Sequence, residues 1–105
     1  MVREIDLITI DETTVDSIGQ VIPTEKINSV FADIASVTQS EFMAAGNIGL
    51  KPSLRFDVWS HEYNREEMVG YHGKRYTIYR TYMRPDGRTE LYTEERVGDE
   101  PASNS

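Results

Sequence analysis

His61 and His72 are the two imidazoles of the chain, so metal or general-base chemistry would have to begin with them. His61-Glu62, followed by Arg65-Glu66-Glu67, has the composition of a ligand cluster but lacks the helical two-histidine spacing of a zinc motif. Solvated groups on a connecting loop are the expected reading. His72 precedes Gly73 between two strand-like runs, which is ordinary turn chemistry. The carboxylate pairs Glu66-Glu67 and Glu94-Glu95 are adjacent, so in a strand they point to opposite faces and cannot share a proton. No serine stands in a nucleophile-elbow pattern, and no glycine-rich phosphate loop leads into a helix. The absence of cysteine excludes a disulfide scaffold, a thiolate zinc site, an iron–sulfur cluster and a thiol nucleophile. These residues predict a protein that is not an enzyme and carries no metal or cofactor.

Aromatic and charged residues offer binding rather than catalysis. Tyr71, Tyr76, Tyr79, Tyr82 and Tyr92 would stack bases of single-stranded nucleic acid if they shared a face, with Lys74, Arg75, Arg80, Arg84 and Arg88 nearby. The alternative is that tyrosines fill both faces of a small barrel and leave hydroxyls at its rim. Net charge favours the alternative, since 18 acidic against 11 basic residues leave −7. That balance also argues against sequence-independent duplex binding, which needs surplus cations. The charge is uneven: residues 1–33 balance at −5, residues 34–73 at −2, residues 74–97 at +2 and residues 98–105 at −2. An acidic front and a basic final hairpin would complement each other between copies in a head-to-tail ring, with Arg80, Arg84 and Arg88 as the contacts. Pairing within one chain, across neighbouring strands, accounts for the same pattern.

The elements that would position these groups are mostly strands. In Leu54 to Ser60, Leu54, Phe56 and Val58 alternate with Arg55, Asp57 and Trp59, the period of a half-buried strand. Lys74 to Met83 is rich in β-branched and aromatic residues, with Tyr76, Ile78 and Tyr82 on one face and Thr77, Tyr79, Thr81 and Met83 on the other. Pro85-Asp86-Gly87 is a turn, and Thr89, Leu91, Thr93 and Val97 then alternate with Glu90, Tyr92 and Glu94, completing a hairpin. Arg3 to Ile10 is a strand whose apolar phase slips once, from a bulge or from burial on both faces. Asp11 to Asn28 reads as a long polar connection, and Ser29 to Val37 as the next strand, with Val30, Ala32 and Ile34 on one face and Phe31 and Val37 on the other. One short helix interrupts them. Thr38 and Glu41 form a capping box, Phe42-Met43-Ala44-Ala45 continues the helix, and Gly46 is the expected left-handed stop. Ile48 and Leu50 follow between glycines and before Pro52, as apolar residues of a free loop.

The 105 residues, 12.0 kDa, fit one domain over 1–97, and the small, polar residues 98–105 have the composition of a flexible tail. Met1 to Asp6 lacks the apolar core of a signal peptide and no run approaches ~18 apolar residues, so a soluble, cytoplasmic product without a membrane partner is expected. Antiparallel strands with one small helix predict a mainly β fold: a small antiparallel β-barrel or sandwich.

The order of these features resembles that of the head–tail joining proteins of tailed bacteriophages, the head closure or stopper family. The matching segments are Ile5 to Ile10, Gly19, Val30-Phe31-Ala32-Asp33-Ile34, Ser40 to Gly46, Leu54 to Trp59, and Met68-Val69-Gly70-Tyr71-His72-Gly73-Lys74-Arg75-Tyr76. They span nearly the whole chain except the C-terminal tail. Residues 60–67 are more charged than the family pattern, and the proline often found at the end of the second strand is missing after Val37.

The resemblance implies a small antiparallel β-barrel with one short helix and a structural role in the virion, after assembly in the host bacterial cytoplasm. Copies would form a homo-oligomeric ring beneath the portal and its adaptor protein and close the DNA-filled head. The ring would also dock the tail terminator or tail-tube protein, and genomic DNA would pass through the channel without specific binding. By motif, Gly46, Asn47, Ile48, Gly49, Leu50, Lys51 and Pro52 would form the channel gate and contacts between copies, preceded on the helix by Glu41, Phe42 and Met43. An acidic chain suits a DNA passage, where attraction to phosphates would hinder ejection. The reading from another class is a lone barrel module that binds a peptide or single-stranded nucleic acid through its tyrosines.

Overall fold

The structure, a computed structural model, describes residues 2–96; Val97 and the tail 98–105 lie outside the described residues. Six strands are present: β1 (Val2–Asp11), β2 (Thr24–Ser36), β3 (Pro52–Trp59), β4 (Met68–Tyr71), β5 (Lys74–Met83) and β6 (Arg88–Glu95). The helix α1 (Gln39–Gly46) stands between β2 and β3, and a 3-10 turn at Ser60–Glu62 follows β3. All pairings are antiparallel, and the order β1-β2-β3-β6-β5-β4 closes on itself as a barrel. Closure removes the open edges that a sheet of this size would otherwise expose.

Alternation places the core. Ile5 and Leu7 of β1, Val30 and Ala32 of β2, Phe56 and Val58 of β3, Val69 of β4, Tyr76 of β5 and Leu91 of β6 form one buried cluster. Phe56 lies at its centre, with the rings of Tyr71 and Tyr76 edge-on at 5.9 and 5.5 Å. The slipped phase of β1 comes from burial on both faces, because its register with β2 runs unbroken. Ile8 is buried on the outer face, where Gly70 of β4 admits it; a Cβ on Gly70 would stand 3.3 Å from Ile8 Cδ1.

Three expectations are corrected. β2 begins at Thr24 rather than Ser29, so the connection shrinks to residues 12–23. Its first residues form a two-stranded arm with the end of β1 and are exposed on both faces, which leaves no apolar alternation to read. β5 carries a bulge between Ile78 and Arg80 that reverses its alternation. Tyr82 therefore pairs with Glu90 on the outer face and is half exposed, instead of sharing the face of Tyr76 and Ile78. The helix stop is Gly49, with φ of 87°, and Gly46 is the last residue of α1. Gly49 N–H donates to Gly46 O and Leu50 N–H to Ala45 O, the paired bonds of a Schellman motif that extends the helical turn by one step.

Gly87 does adopt the left-handed conformation, φ 88°, in the β5–β6 turn, where Arg84 N–H donates to Arg88 O at 2.8 Å. A Cβ there meets nothing closer than Trp59 Cζ3 at 3.8 Å, so substitution costs backbone strain rather than collision. Gly87→Val is expected to destabilise the fold by about 1–2 kcal/mol, read as a lower thermal midpoint. An unchanged midpoint would show that this turn does not hold the hairpin.

Candidate functional site

Pairing register sorts the chain between the barrel's two ends. One end carries the β1–β2 arm and the β5–β6 turn; the other carries α1, its connection to β3, the start of β1 and the β4–β5 turn. The segment singled out by motif lies at this second end. Gly46 closes α1, Asn47 to Lys51 form the connection, and Pro52 opens β3. Ile48 is 75% exposed, Phe42 and Met43 are more than half exposed, and Leu50 is only half-buried. The connection is tied down by the Schellman bonds and by Lys51 N–H donating to Glu94 Oε1 at 2.9 Å. It presents Ile48 from an ordered turn, not from a loose loop.

The helix is fixed by a clasp. Thr38 caps it as expected, its hydroxyl accepting from Glu41 N–H at 3.1 Å. The other half of the expected capping box is absent, because Glu41 turns to β5: Tyr79 Oη donates to Oε2 at 2.7 Å and Arg80 Nη2 to Oε1 at 2.6 Å. In a regular strand Tyr79 and Arg80 would point to opposite faces. The bulge brings both to one carboxylate. Arg80 also lies 4.0 Å above the Tyr92 ring. Ala45 is buried and is the helix's remaining anchor.

Beside the clasp, the outer face of β2, β3 and β6 carries a network of paired charges. Asp33 and Asp57 stand directly opposite each other, an arrangement that repels unless cations intervene. Arg55 donates to both oxygens of Asp57 at 2.9 and 3.0 Å, and Arg84 reaches Asp57 and Glu90 at 3.2 Å each. Arg88 donates to Asp33 at 3.3 Å and to the Asp57 carbonyl at 2.7 Å, with its guanidinium 4.6 Å from the Trp59 ring centre. Arg80, Arg84 and Arg88 thus all have acidic partners within the chain. The sequence places Asp57 on this outward face but gives no sign of its burial, which results from the arginines covering it.

The tyrosines are dispersed. Tyr76 is in the core, Tyr71 packs against it from the rim, Tyr79 and Tyr92 bind carboxylates, and Tyr82 stands out near the β5–β6 turn. His61 lies in the 3-10 turn and stacks near Trp59, and His72 sits in the β4–β5 turn with φ of 52°, stacked on Tyr71. Among the described residues no three His, Asp or Glu side chains converge to hold a metal ion, and no helix is long and apolar enough to cross a membrane.

Burial opposes ionisation of Glu41 and Glu90, but hydrogen bonds from Arg80 and Tyr79, and from Tyr92 and Arg84, hold both carboxyls below the ordinary range. Groups depressed in the folded state contribute stability above their unfolded pKa, about 4.3, and lose it as pH falls through the folded value. The melting temperature is therefore expected to drop below about pH 4. Glu41→Gln should weaken that acid dependence and cost about 1 kcal/mol at neutral pH, since Arg80 is partly exposed. An acid profile identical in Glu41→Gln and the parent would contradict the clasp.

The geometry defines a small closed antiparallel β-barrel with a clasped helix at one end and a two-stranded arm at the other. No family model matches the chain, and no curated protein sequence matches it.

Proposed function

We propose that the chain is a structural component of a tailed-bacteriophage neck, a head-closure protein that acts as a ring of identical copies. The ring sits beneath the portal and its adaptor, closes the filled head and receives the tail terminator or tail-tube protein. What supports this is the helix-to-β3 segment: a short clasped helix presents Phe42, Met43 and Ile48 to solvent at one end of a closed barrel. Large apolar groups held in the open by an ordered turn contribute little to a monomer and much to an assembly. The motif order along the chain, with the helix between the second and third strands, supports it further. The other reading, a module that stacks nucleic-acid bases or binds a peptide, draws less support because Tyr71 and Tyr76 pack on the core and Tyr79 and Tyr92 are engaged by carboxylates.

Ile48 and Leu50 separate in this account. Ile48→Ser is expected to leave the melt within about 0.5 kcal/mol of the parent, as for an exposed site away from packing. In an infection background it should yield heads that package DNA and then leak it, or that fail to take tails. Leu50→Ser, at a half-buried position, should also lower the melt. Normal infectious titre for Ile48→Ser would count against the role of this segment.

A further inference from the structure

Residues 12–29 add nothing to the barrel core, yet the β1–β2 connection carries four large aliphatic side chains in the open. Ile18 is 76% exposed, and Val15, Val21 and Ile22 are exposed beside it. The chain is correspondingly elongated, with a radius of gyration of 15.3 Å where a compact chain of this length has about 13 Å. The tip is built, not slack: Val15 and Val21 bridge, Asp16 Oδ1 accepts from Ile18 N–H at 3.0 Å and from Gln20 N–H at 2.9 Å, and Gly19 takes φ of 86°. A two-stranded ribbon is marginal in water by itself, and its aliphatic groups gain free energy when something covers them. Residues 12–23 include Glu12 and Asp16 and no cation, so whatever covers the tip meets an apolar surface with negative charge.

The opposite end of the barrel has the complementary character. Phe42 and Met43 stand outward at consecutive positions of α1, each more than half exposed. Between residues 34 and 53 the charged side chains are Glu41 and Lys51. Arg80 neutralises Glu41 at 2.6 Å, whereas Lys51 is exposed and joins no ion pair among the described residues. This end is therefore apolar with an uncompensated cation. Tip against tip would bring Glu12 and Asp16 onto their own copies, and helix against helix would oppose Lys51 to itself, so charge favours tip against helix. A further exposed aromatic pair, Trp59 and Tyr82, lies at the arm's own end of the barrel, where two copies would exchange arms and close as a dimer.

We propose that the β1–β2 tip of one copy packs Ile18 on Phe42 and Met43 of the next, with its acids toward Lys51. Surfaces at opposite ends of one molecule make a heterologous contact, which closes into a ring or runs on as a filament. The unbranched thioether of Met43 can mould to an aliphatic knob. The inference rests on the ring reading above and names a contact that builds the ring, leaving Ile48 to the channel.

The test uses the full chain. Because it has no cysteine, an I18C/M43C double variant reports one contact without background. On one chain these positions lie toward opposite ends of the barrel, so the bond forms between copies. Oxidation is expected to give a reducible ladder beyond dimers, and each single-cysteine variant and I18C/Y82C should stop at dimers. I18D should melt like the parent, yet in sedimentation velocity self-associate at least about tenfold more weakly, since it sets a charge against an apolar seat. An I18C/M43C variant that stops at dimers overturns the proposal, as does a chain that stays monomeric at every concentration. So does association indifferent to I18D, or efficient cross-linking of I18C/Y82C in place of I18C/M43C, the result expected if Trp59 and Tyr82 take the arm. A neck ring imaged with Ile18 away from the neighbouring helix would sink this contact and leave the head-closure reading intact. A ladder from a chain that the neck lacks would do the reverse.

Discussion

Phe56→Ala is expected to lower stability by about 3–5 kcal/mol, the largest effect of any single side chain in this fold. Phe56 is wholly buried on β3 between β2 and β6, and two tyrosine rings meet it edge-on. Truncation removes the centre of a one-core barrel, and the surrounding strands, each paired on both sides there, cannot close on the cavity. Domains of this size are stable by about 5–15 kcal/mol, so the variant should melt some 15–25 °C lower or unfold partly at room temperature. Urea denaturation checks it, as a shifted midpoint with an unchanged slope. A loss under about 1 kcal/mol would mean that Phe56 is not the centre of the core.

Asp57→Ala should have the second-largest effect. The Asp57 carboxylate is 7% exposed and takes both Arg55 bonds and one from Arg84. Its removal leaves Arg55 without the partner it covers, while Arg84 keeps Asp86 and Glu90. Breaking a buried pair from one side costs about 3–5 kcal/mol, and the 23–28% exposure of the two arginines reduces this to about 2–3. Asp86→Ala, at an exposed carboxylate on the same Arg84, is the control and should cost clearly less than Asp57→Ala. Equal losses in the two variants would show that burial of Asp57 contributes nothing.

Where a signal is local, the sequence and the structure agree. Leu54, Phe56 and Val58 alternate because β3 has the core on one side, Thr38 caps α1 through its own hydroxyl, and Pro85-Asp86-Gly87 turns where only three residues are needed. The misses are long-range. Nothing near Tyr79 announces a bulge, whose reward is a carboxylate 38 positions earlier in the chain. Gly46 and Gly49 are equally able to end a helix, and which one does so depends on how the chain enters β3. The start of β2 is exposed on both faces and only β1 pairs with it there, so its strand character comes from the partner and not from burial. At the candidate site, Ile48 is readable as an exposed apolar residue, but the bond from Tyr79 to Glu41 depends on contact between elements far apart in the chain.

The most direct test of the head-closure reading is an electron cryomicroscopy map of the neck of the phage particles to which that reading assigns the chain. The account predicts a closed ring of these barrels between portal and tail, with Asn47 to Lys51 of every copy turned toward the channel. A neck without this chain, or a ring whose Ile48 side chains face away from the channel, would contradict it.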